Sequence, residues 1–448
     1  MRDARALALD VLVRCQRDRI PSDPLLAPLL ARSGLDARDR RFVTQLVRTT
    51  HRWRGRADRV LDARLARGVR SLDPVTINVL RLAYVQLFHL DHIPPHAIVH
   101  TAVDLALQQV GQGKAGMVNS VLRGLLSRRP DPQEWRRGRE IEALEGEVSH
   151  PAWLLERWIA RWGVETTRRI CEWNNHPPDF HLRVHVAAGA RGSVRQRLTK
   201  EGLRVAPGEV LQEVLRVAGS FPIREHALLR EGVVTLQDES QALVGRLWPD
   251  PAAGPVLEMC AAPGTKTSHL AELSPGVDVF AADRTWGRVR RIAETRRRLR
   301  LERVHPLVAD GRQPPFRDVF ARVLLDAPCS GLGVLRRRPD ARWLRTPGEI
   351  HDAARLQARL LESASGLVRP GGWLLYSVCS LEPEETTGRV ECFLDRHREF
   401  DRQAPPAWVP EDLLGPQGAV QVLPGVRGME GLYAALFQRR GSVVEAAS

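Results

Sequence analysis

Lysine is scarce in this 448-residue chain: Lys114, Lys200 and Lys266 are its only three, and the rest of the 67 basic side chains are arginines. With 53 acids the formal charge is +14, a balance that suits a polyanionic partner. The arginine fork binds phosphate and stacks on bases, although a GC-biased genome would enrich Arg, Ala, Gly and Pro together. Either way, each remaining lysine is notable. The six cysteines (Cys15, Cys171, Cys260, Cys329, Cys379, Cys392) form no C-x-x-C pair and have no histidines at zinc spacing, which excludes a zinc module. Free thiols of an intracellular, cytoplasmic protein are expected instead, with no metal. No run reaches the ~18 apolar residues of a spanning helix. The first apolar stretch is broken by Asp10 and Arg14 with no cleavage site after it, so no export signal is expected. A hydrophobic share of 43% with 27% charged residues supports folded cores, and the length suggests two or three domains.

Residues 1–140 read as helices with short polar breaks. Asp73 suits an N-cap and Pro74 the first helical position. Ile77, Leu80, Tyr84, Leu87 and Phe88 follow at three- and four-residue spacing, one buried stripe, and His92-Ile93-Pro94-Pro95 ends it. Further helices are expected at about 95–109 and 115–126, giving an all-α bundle. The runs 79–88, 93–95, 102–106 and 118–122 resemble NusB-like RNA-binding domains. That resemblance implies binding of structured RNA, against the plainer reading of a packing domain without a ligand. The charged, proline-bearing stretch 128–139 reads as a linker. Beyond it, a helix from 149 and a strand over 182–186 suggest a small α+β unit.

From 255 onward short apolar strands alternate with helices, the pattern of a doubly wound α/β sheet. Strands are expected at 255–260, 277–283, 304–310, 321–326 and 372–378. Asp283, Asp310 and Asp326 close three of them, where ligands of such sheets bind. Asp283, 25 residues after Glu258, suits ribose hydroxyls, and Asp310 could reach an adenine amine. The first turn, Cys260-Ala261-Ala262-Pro263-Gly264-Thr265-Lys266, matches neither glycine-rich phosphate loop, so an adenosine ligand is favoured over a nucleoside triphosphate. Cys329, in Asp326-Ala-Pro-Cys-Ser-Gly, follows the fourth strand; Cys379, in Tyr376-Ser-Val-Cys-Ser, follows the fifth. A lone free cysteine is usually an inert small hydrophobe. Two of them after neighbouring strands, one sharing a loop with Asp326, read as a reactive pair.

These motifs, in this order and with residues 236–244, resemble the RNA cytosine-5 methyltransferases of the Nop/Sun family, in particular the bacterial 16S ribosomal RNA branch of RsmB type. The similarity spans nearly the whole chain. It implies a NusB-like domain at 1–140, a linker and small RNA-recognition-like α+β domain at 141–236, a class I (Rossmann-like) S-adenosylmethionine-dependent domain at 237–440 and a disordered tail at 441–448. By resemblance, Cys260 to Lys266, Asp283, Asp310 and Asp326 line the S-adenosylmethionine site, Cys379 is the nucleophile and Cys329 assists product release. Thr265 stands where relatives commonly have a second glycine, and a left-handed backbone there would be strained; the loop is expected to adjust. Val378 replaces a frequent threonine.

The implied reaction adds a Cys379 thiolate to carbon 6 of cytosine, making carbon 5 nucleophilic. Asp326 would bond ring nitrogen 3, and Cys329 or a water it orders would remove the proton on carbon 5. The alternative within this chemistry makes Cys329 the attacker, as in DNA cytosine-5 methyltransferases. Alternatives outside it are a non-catalytic ribosome assembly factor, action on another RNA such as tRNA, and a small-molecule methyltransferase. The expected partner is 16S ribosomal RNA, naked or in a partly assembled subunit, bound by a monomer. Arg336-Arg337-Arg338 is expected to meet phosphates beside a flipped cytosine, with the arginines of 288–300 either joining them or merely solvated.

Overall fold

The Asp73 carboxylate accepts from the backbone N–H of Val75 and of Thr76, both at 3.0 Å, and so starts the helix Pro74–Phe88. In the computed structural model, which describes residues 3–91, 93–136, 140–185, 191–219, 223–249 and 254–441, this helix is buried nearly all round. The expected single stripe is therefore a correction: Thr76, Asn78, Arg81 and Gln86 are enclosed along with Ile77, Leu80 and Tyr84. Their polar groups are met internally, as where Arg81 Nε donates to Asp58 at 2.6 Å. Helices Ala4–Asp18, Ala37–Asp62, Pro95–Val110 and Gln112–Ser127 share its core. His92, the linker residues 137–139, Val186 and the tail 442–448 lie outside the described residues.

The chain divides into two compact units. One comprises residues 1–176 together with 335–345; the other comprises 177–334 and 346–448. Helices Glu140–Val148 and Ala152–Asn175 complete the first. Its segment 335–345 is held by buried polar contacts. Asp340 accepts from Ser22 N–H at 2.7 Å, and fully buried Arg342 donates to Asn175 Oδ1 at 2.8 Å and to the Ser149 carbonyl at 3.1 Å.

The second unit holds two sheets. Strands β1 (Phe180–Val184), β2 (Val205–Pro207), β3 (Val214–Val217) and β4 (Val234–Leu236) form an antiparallel sheet in the order β2-β3-β1-β4. Strand alternation turns Leu182 and Val184 into this small core. Arg183 faces the other way, donating to Glu272 Oε2 at 2.5 Å and Ser268 Oγ at 2.7 Å, while His185 bonds Glu272 Oε1.

The larger sheet contains β5 (Val256–Met259), β6 (Val279–Asp283), β7 (Val304–Val308), β8 (Phe320–Asp326), β9 (Val368–Val378), β10 (Phe400–Gln403), β11 (Val420–Val422) and β12 (Leu432–Arg439). Its order is β10-β12-β9-β8-β5-β6-β7, with β11 beside β12. Strands β5 to β9 are parallel, and β10 to β12 add antiparallel pairs at one side. Leu257, Met259, Val323, Leu325, Leu374 and Tyr376 face a core shared with helices Pro347–Ser365 and Thr387–Arg396. Val256, Leu324 and Leu375 face Leu243 and Leu270 of helices Glu239–Arg246 and Thr265–Leu273. Helices thus cover both faces, and the order reverses between β5 and β8, where a doubly wound sheet opens a crevice at its carboxyl ends.

Candidate active site

The same alternation decides what enters that crevice. Glu258 follows Val256 by two positions and Asp326 follows Leu324, so both acids end the face covered by helix Thr265–Leu273. Asp326 pairs in register with Ser377, two residues before Cys379. Lys266, in the first turn of that helix, is buried and donates to Asp326 Oδ2 at 2.7 Å and Gln241 Oε1 at 2.5 Å. Ser377 Oγ donates to the other oxygen, Oδ1, at 2.7 Å. Burial opposes the Lys266 charge, but attraction to Asp326 outweighs it and holds the ammonium above its ordinary range; Cys379 adds to that attraction. Glu258 is the contrary case. Burial pushes its carboxyl up to about 8 against the opposing bond from Thr267 Oγ1.

The first turn is shaped by backbone. Cys260 has φ +58° and Gly264 φ +93°, while Thr265 is an ordinary helical residue. The left-handed positions therefore fall on Cys260 and Gly264 and not on Thr265, whose Cβ meets no left-handed strain. Val378 points into the apolar core, away from the polar face. Asp283, 4% exposed, binds the turn through Ala262 N–H (3.1 Å) and accepts from Arg288 Nε at 2.7 Å. Ala309 N–H donates to the Asp283 carbonyl at 3.0 Å, bringing the Asp310 turn alongside. Asp310 itself is occupied by Arg312, whose bonds hold its carboxyl down at about 2.

The two thiols meet. Cys329 Sγ lies 3.2 Å from Cys379 Sγ, with no disulfide between them. Gly333 N–H donates to the Cys379 carbonyl (3.0 Å) and Gly431 N–H to the Gly333 carbonyl (2.7 Å). A Cβ on Gly431 would stand 2.6 Å from Gly333 Cα, so this approach requires glycine. The hydrogen bond with Cys379, then burial, pushes the Cys329 thiol well above its ordinary range. Burial pushes the Cys260 thiol up to about 12, so it stays protonated. The structure thus brings together Lys266, Asp326, Cys329 and Cys379, and sets Asp283 against the turn 260–264. Sequence reasoning missed Gln241, Ser377, Glu258 and the buried Glu385 that bonds both cysteine loops. The period-two pattern of β9 carried a signal for Ser377; Glu385 had none, being one of three acids in Glu382-Pro-Glu-Glu.

One expectation fails in part. Arg336 is 5% exposed, lies 4.0 Å from the centre of the Trp173 ring and donates to the His176 carbonyl, all within the first unit. Arg342 is enclosed too. Arg337 is half-buried and Arg338 exposed, so it is Arg336 that is withdrawn from the expected phosphate-facing run. Among the described residues no cluster of His, Cys, Asp and Glu could hold a metal, and no helix is long and apolar enough to cross a membrane.

Three family models match successive parts of the chain. A NusB family model matches residues 2–127, an RsmF/B-like ferredoxin-like domain model 150–224, and a 16S rRNA methyltransferase RsmB/F model 247–438. The probable ribosomal RNA small subunit methyltransferase B of Bacillus subtilis is 30% identical over 98% of this chain and 99% of its own. The ribosomal RNA small subunit methyltransferase B of Klebsiella pneumoniae is 34% identical over 80% and 81%. The crystal structure of PH0851 has a TM-score of 0.81 at 26% identity, covering 98% of this chain and 99% of that one. NSun6 from Pyrococcus horikoshii, solved with SFG, shares the fold (TM-score 0.58, 21% identity, 64% and 98% covered). S-adenosylmethionine, the cofactor of this fold, suits the donors present. Asp283 offers a carboxylate beside the first turn, and the buried Gln241 Nε2 has no protein acceptor. Matched along its length by these models and relatives, the chain belongs to the 16S rRNA methyltransferase RsmB/F family.

Proposed function

We propose that this protein methylates carbon 5 of a cytosine in 16S ribosomal RNA through a transient bond between Cys379 Sγ and carbon 6 of the base. The observation that carries the reading is the 3.2 Å approach of the Cys329 and Cys379 sulfurs next to the buried Lys266–Asp326 pair. Bound S-adenosylmethionine supplies an electrophilic methyl group; Cys260 to Lys266, Asp283 and Asp310 are the residues that would hold it. A cytosine reached from both sides must be flipped or single-stranded.

The residues divide the remaining work. The Lys266 ammonium favours the thiolate of Cys379. Either sulfur of the 3.2 Å pair can donate to the other; the electrostatic attraction of the Lys266 ammonium is to Cys379, which supports Cys379 rather than Cys329 as attacker. Addition of Cys379 forms the C6–S bond and shifts the ring electrons so that carbon 5 becomes nucleophilic, while the proton lost by the Cys379 thiol passes through water to nitrogen 3. Asp326, oriented by Lys266 and Ser377, accepts the resulting N–H. Once carbon 5 carries the methyl group, its proton must leave so that the double bond reforms and the sulfur departs with the C–S electron pair. Cys329 first gives its own proton to water and then, as thiolate, takes the carbon-5 proton, or it orders a water that takes it; the nitrogen-3 proton returns through water to the departing sulfur.

RNA affinity falls to the NusB-like bundle and to the helix Trp286–Leu299, where Arg288, Arg290, Arg291, Arg296 and Arg297 are exposed and Trp286 is 70% exposed. Reversing two of these charges should lower the log–log salt slope of RNA binding by roughly 0.7–0.9 per lost contact; an unchanged slope removes the helix from the footprint. For the reaction itself, unmodified 16S transcript is incubated with methyl-labelled cofactor and then sequenced after bisulfite treatment. Label with a newly resistant cytosine is expected. No label would favour the assembly-factor reading, and label without a resistant cytosine would exclude carbon-5 chemistry.

A further inference from the structure

We propose that Glu385 is a positioning residue for methyl transfer: its carboxylate fixes Cys329 and Cys379 relative to one another by bonding the serine that follows each. The proposal rests on the two-thiol reading above. Cys329 and Cys379 belong to loops after different strands, β8 and β9, and each is followed by a buried serine. Glu385 Oε1 accepts from Ser330 N–H at 2.8 Å and from Gln357 Nε2 at 3.0 Å. Its Oε2 accepts from the hydroxyls of both Ser330 and Ser380, whose oxygens lie 3.1 Å apart. The Tyr376 hydroxyl donates to the Glu385 carbonyl at 2.7 Å, tying the backbone of this turn to β9.

Glu385 is fully buried, and among the described residues no cation forms an ion pair with it. Taking a carboxylate out of water without a counterion costs several kcal/mol unless its lone pairs are met by hydrogen bonds. Four donors converge here, and the ones from Ser330 and Ser380 come from residues adjacent to the reacting thiols. An apolar side chain would fill the same space at less cost, but could not set the spacing of two loops to a fraction of an ångström. The sulfur that attacks carbon 6 and the group that later receives the carbon-5 proton need such a fixed spacing, because misplacement of about 1 Å can cost about 100-fold in rate.

The test compares Glu385→Gln, Glu385→Asp, Ser380→Ala and Cys379→Ala in the full-length protein, with 16S transcript and S-adenosylmethionine. Each is assayed for thermal unfolding, kcat, KM for both substrates, and the pH dependence of Cys379 alkylation by iodoacetamide, read by peptide mass. Glu385→Gln should lower kcat about 10- to 100-fold while KM changes less than about two-fold. It should also move the alkylation profile of Cys379, and Glu385→Asp should restore part of the rate. Where Glu385→Gln does not fold, Ser380→Ala, which deletes a single donor, carries the comparison. A folded variant with the wild-type alkylation profile, or with wild-type kcat, overturns the role assigned to Glu385. Cys379→Ala separates the two ideas: methylation by that variant would defeat the two-thiol reading, whereas the alkylation arm judges Glu385 whatever the reaction is.

Discussion

Glu258 shows how one buried side chain gives the site a measurable pH signature. Its carboxyl, ordinarily at 4.5, is raised by burial to about 8. The folded protein therefore keeps this proton over a range in which the unfolded chain has released it. Between pH 4.5 and 8 the unfolded state binds fewer protons at this site, and stability falls as pH rises. Glu258→Gln removes that contribution, so its Tm should decline less than wild type across the window; parallel curves would show that Glu258 is ionised in the fold. At this scale the sequence spoke unevenly. Cys329, Cys379 and Asp326 were legible because each stands just past a recognisable strand. Gln241 and Ser377 were not, because a neutral polar residue carries no sign of its partner until Lys266 and Asp326 arrive beside it.

Elements were legible where a local signal existed and obscure where packing overrode it. The Asp73-Pro74 start of its helix and the acid-ended strands of the large sheet are local, set by capping chemistry and by period-two alternation. The full enclosure of Pro74–Phe88 is not local: Arg81 and Gln86 look like a solvent face until neighbouring helices satisfy them. Strand β1 behaves likewise. Leu182 and Val184 announce a strand, but the opposite face carries His181, Arg183 and His185, all buried against the catalytic part of the same unit. Arg183 bonds Ser268 and Glu272 and thereby braces helix Thr265–Leu273, which carries Lys266. Replacing Arg183 with Met would strand Glu272 beside a buried gap; removal of one member of a buried pair typically costs about 3–5 kcal/mol. Urea unfolding should register a loss in that range, and a loss under about 1 kcal/mol, the level of a surface pair, would contradict the bracing role.

For the whole molecule, the order of a helical bundle, a small mixed domain and a doubly wound sheet was readable from changes in periodicity along the chain. The assignment of residues 335–345 to the first unit was not. Arg336-Arg337-Arg338 looks like a phosphate-binding run because nothing local reveals that the Trp173 ring and the His176 carbonyl await the Arg336 guanidinium. Arg342 is the clearest instance: fully buried, with its charge disfavoured by burial down to about 9, it is retained by bonds to Asn174, Asn175 and Ser149. Arg342→Ala should destabilise the protein by about 2–4 kcal/mol through the partners left unsatisfied. Its RNA-binding salt slope should match wild type, and a fall of roughly 0.7–0.9 in that slope would return Arg342 to the RNA footprint.

The central claim is that Cys379 bonds the base and Cys329 releases it. Its most direct test is denaturing electrophoresis of Cys329→Ala and Cys379→Ala enzymes after incubation with 16S transcript and S-adenosylmethionine, with the modified peptide identified by mass. The account predicts a lasting RNA adduct on Cys379 in the Cys329→Ala enzyme and none in the Cys379→Ala enzyme. An adduct on Cys329 in the Cys379→Ala enzyme, with none in its counterpart, would contradict it.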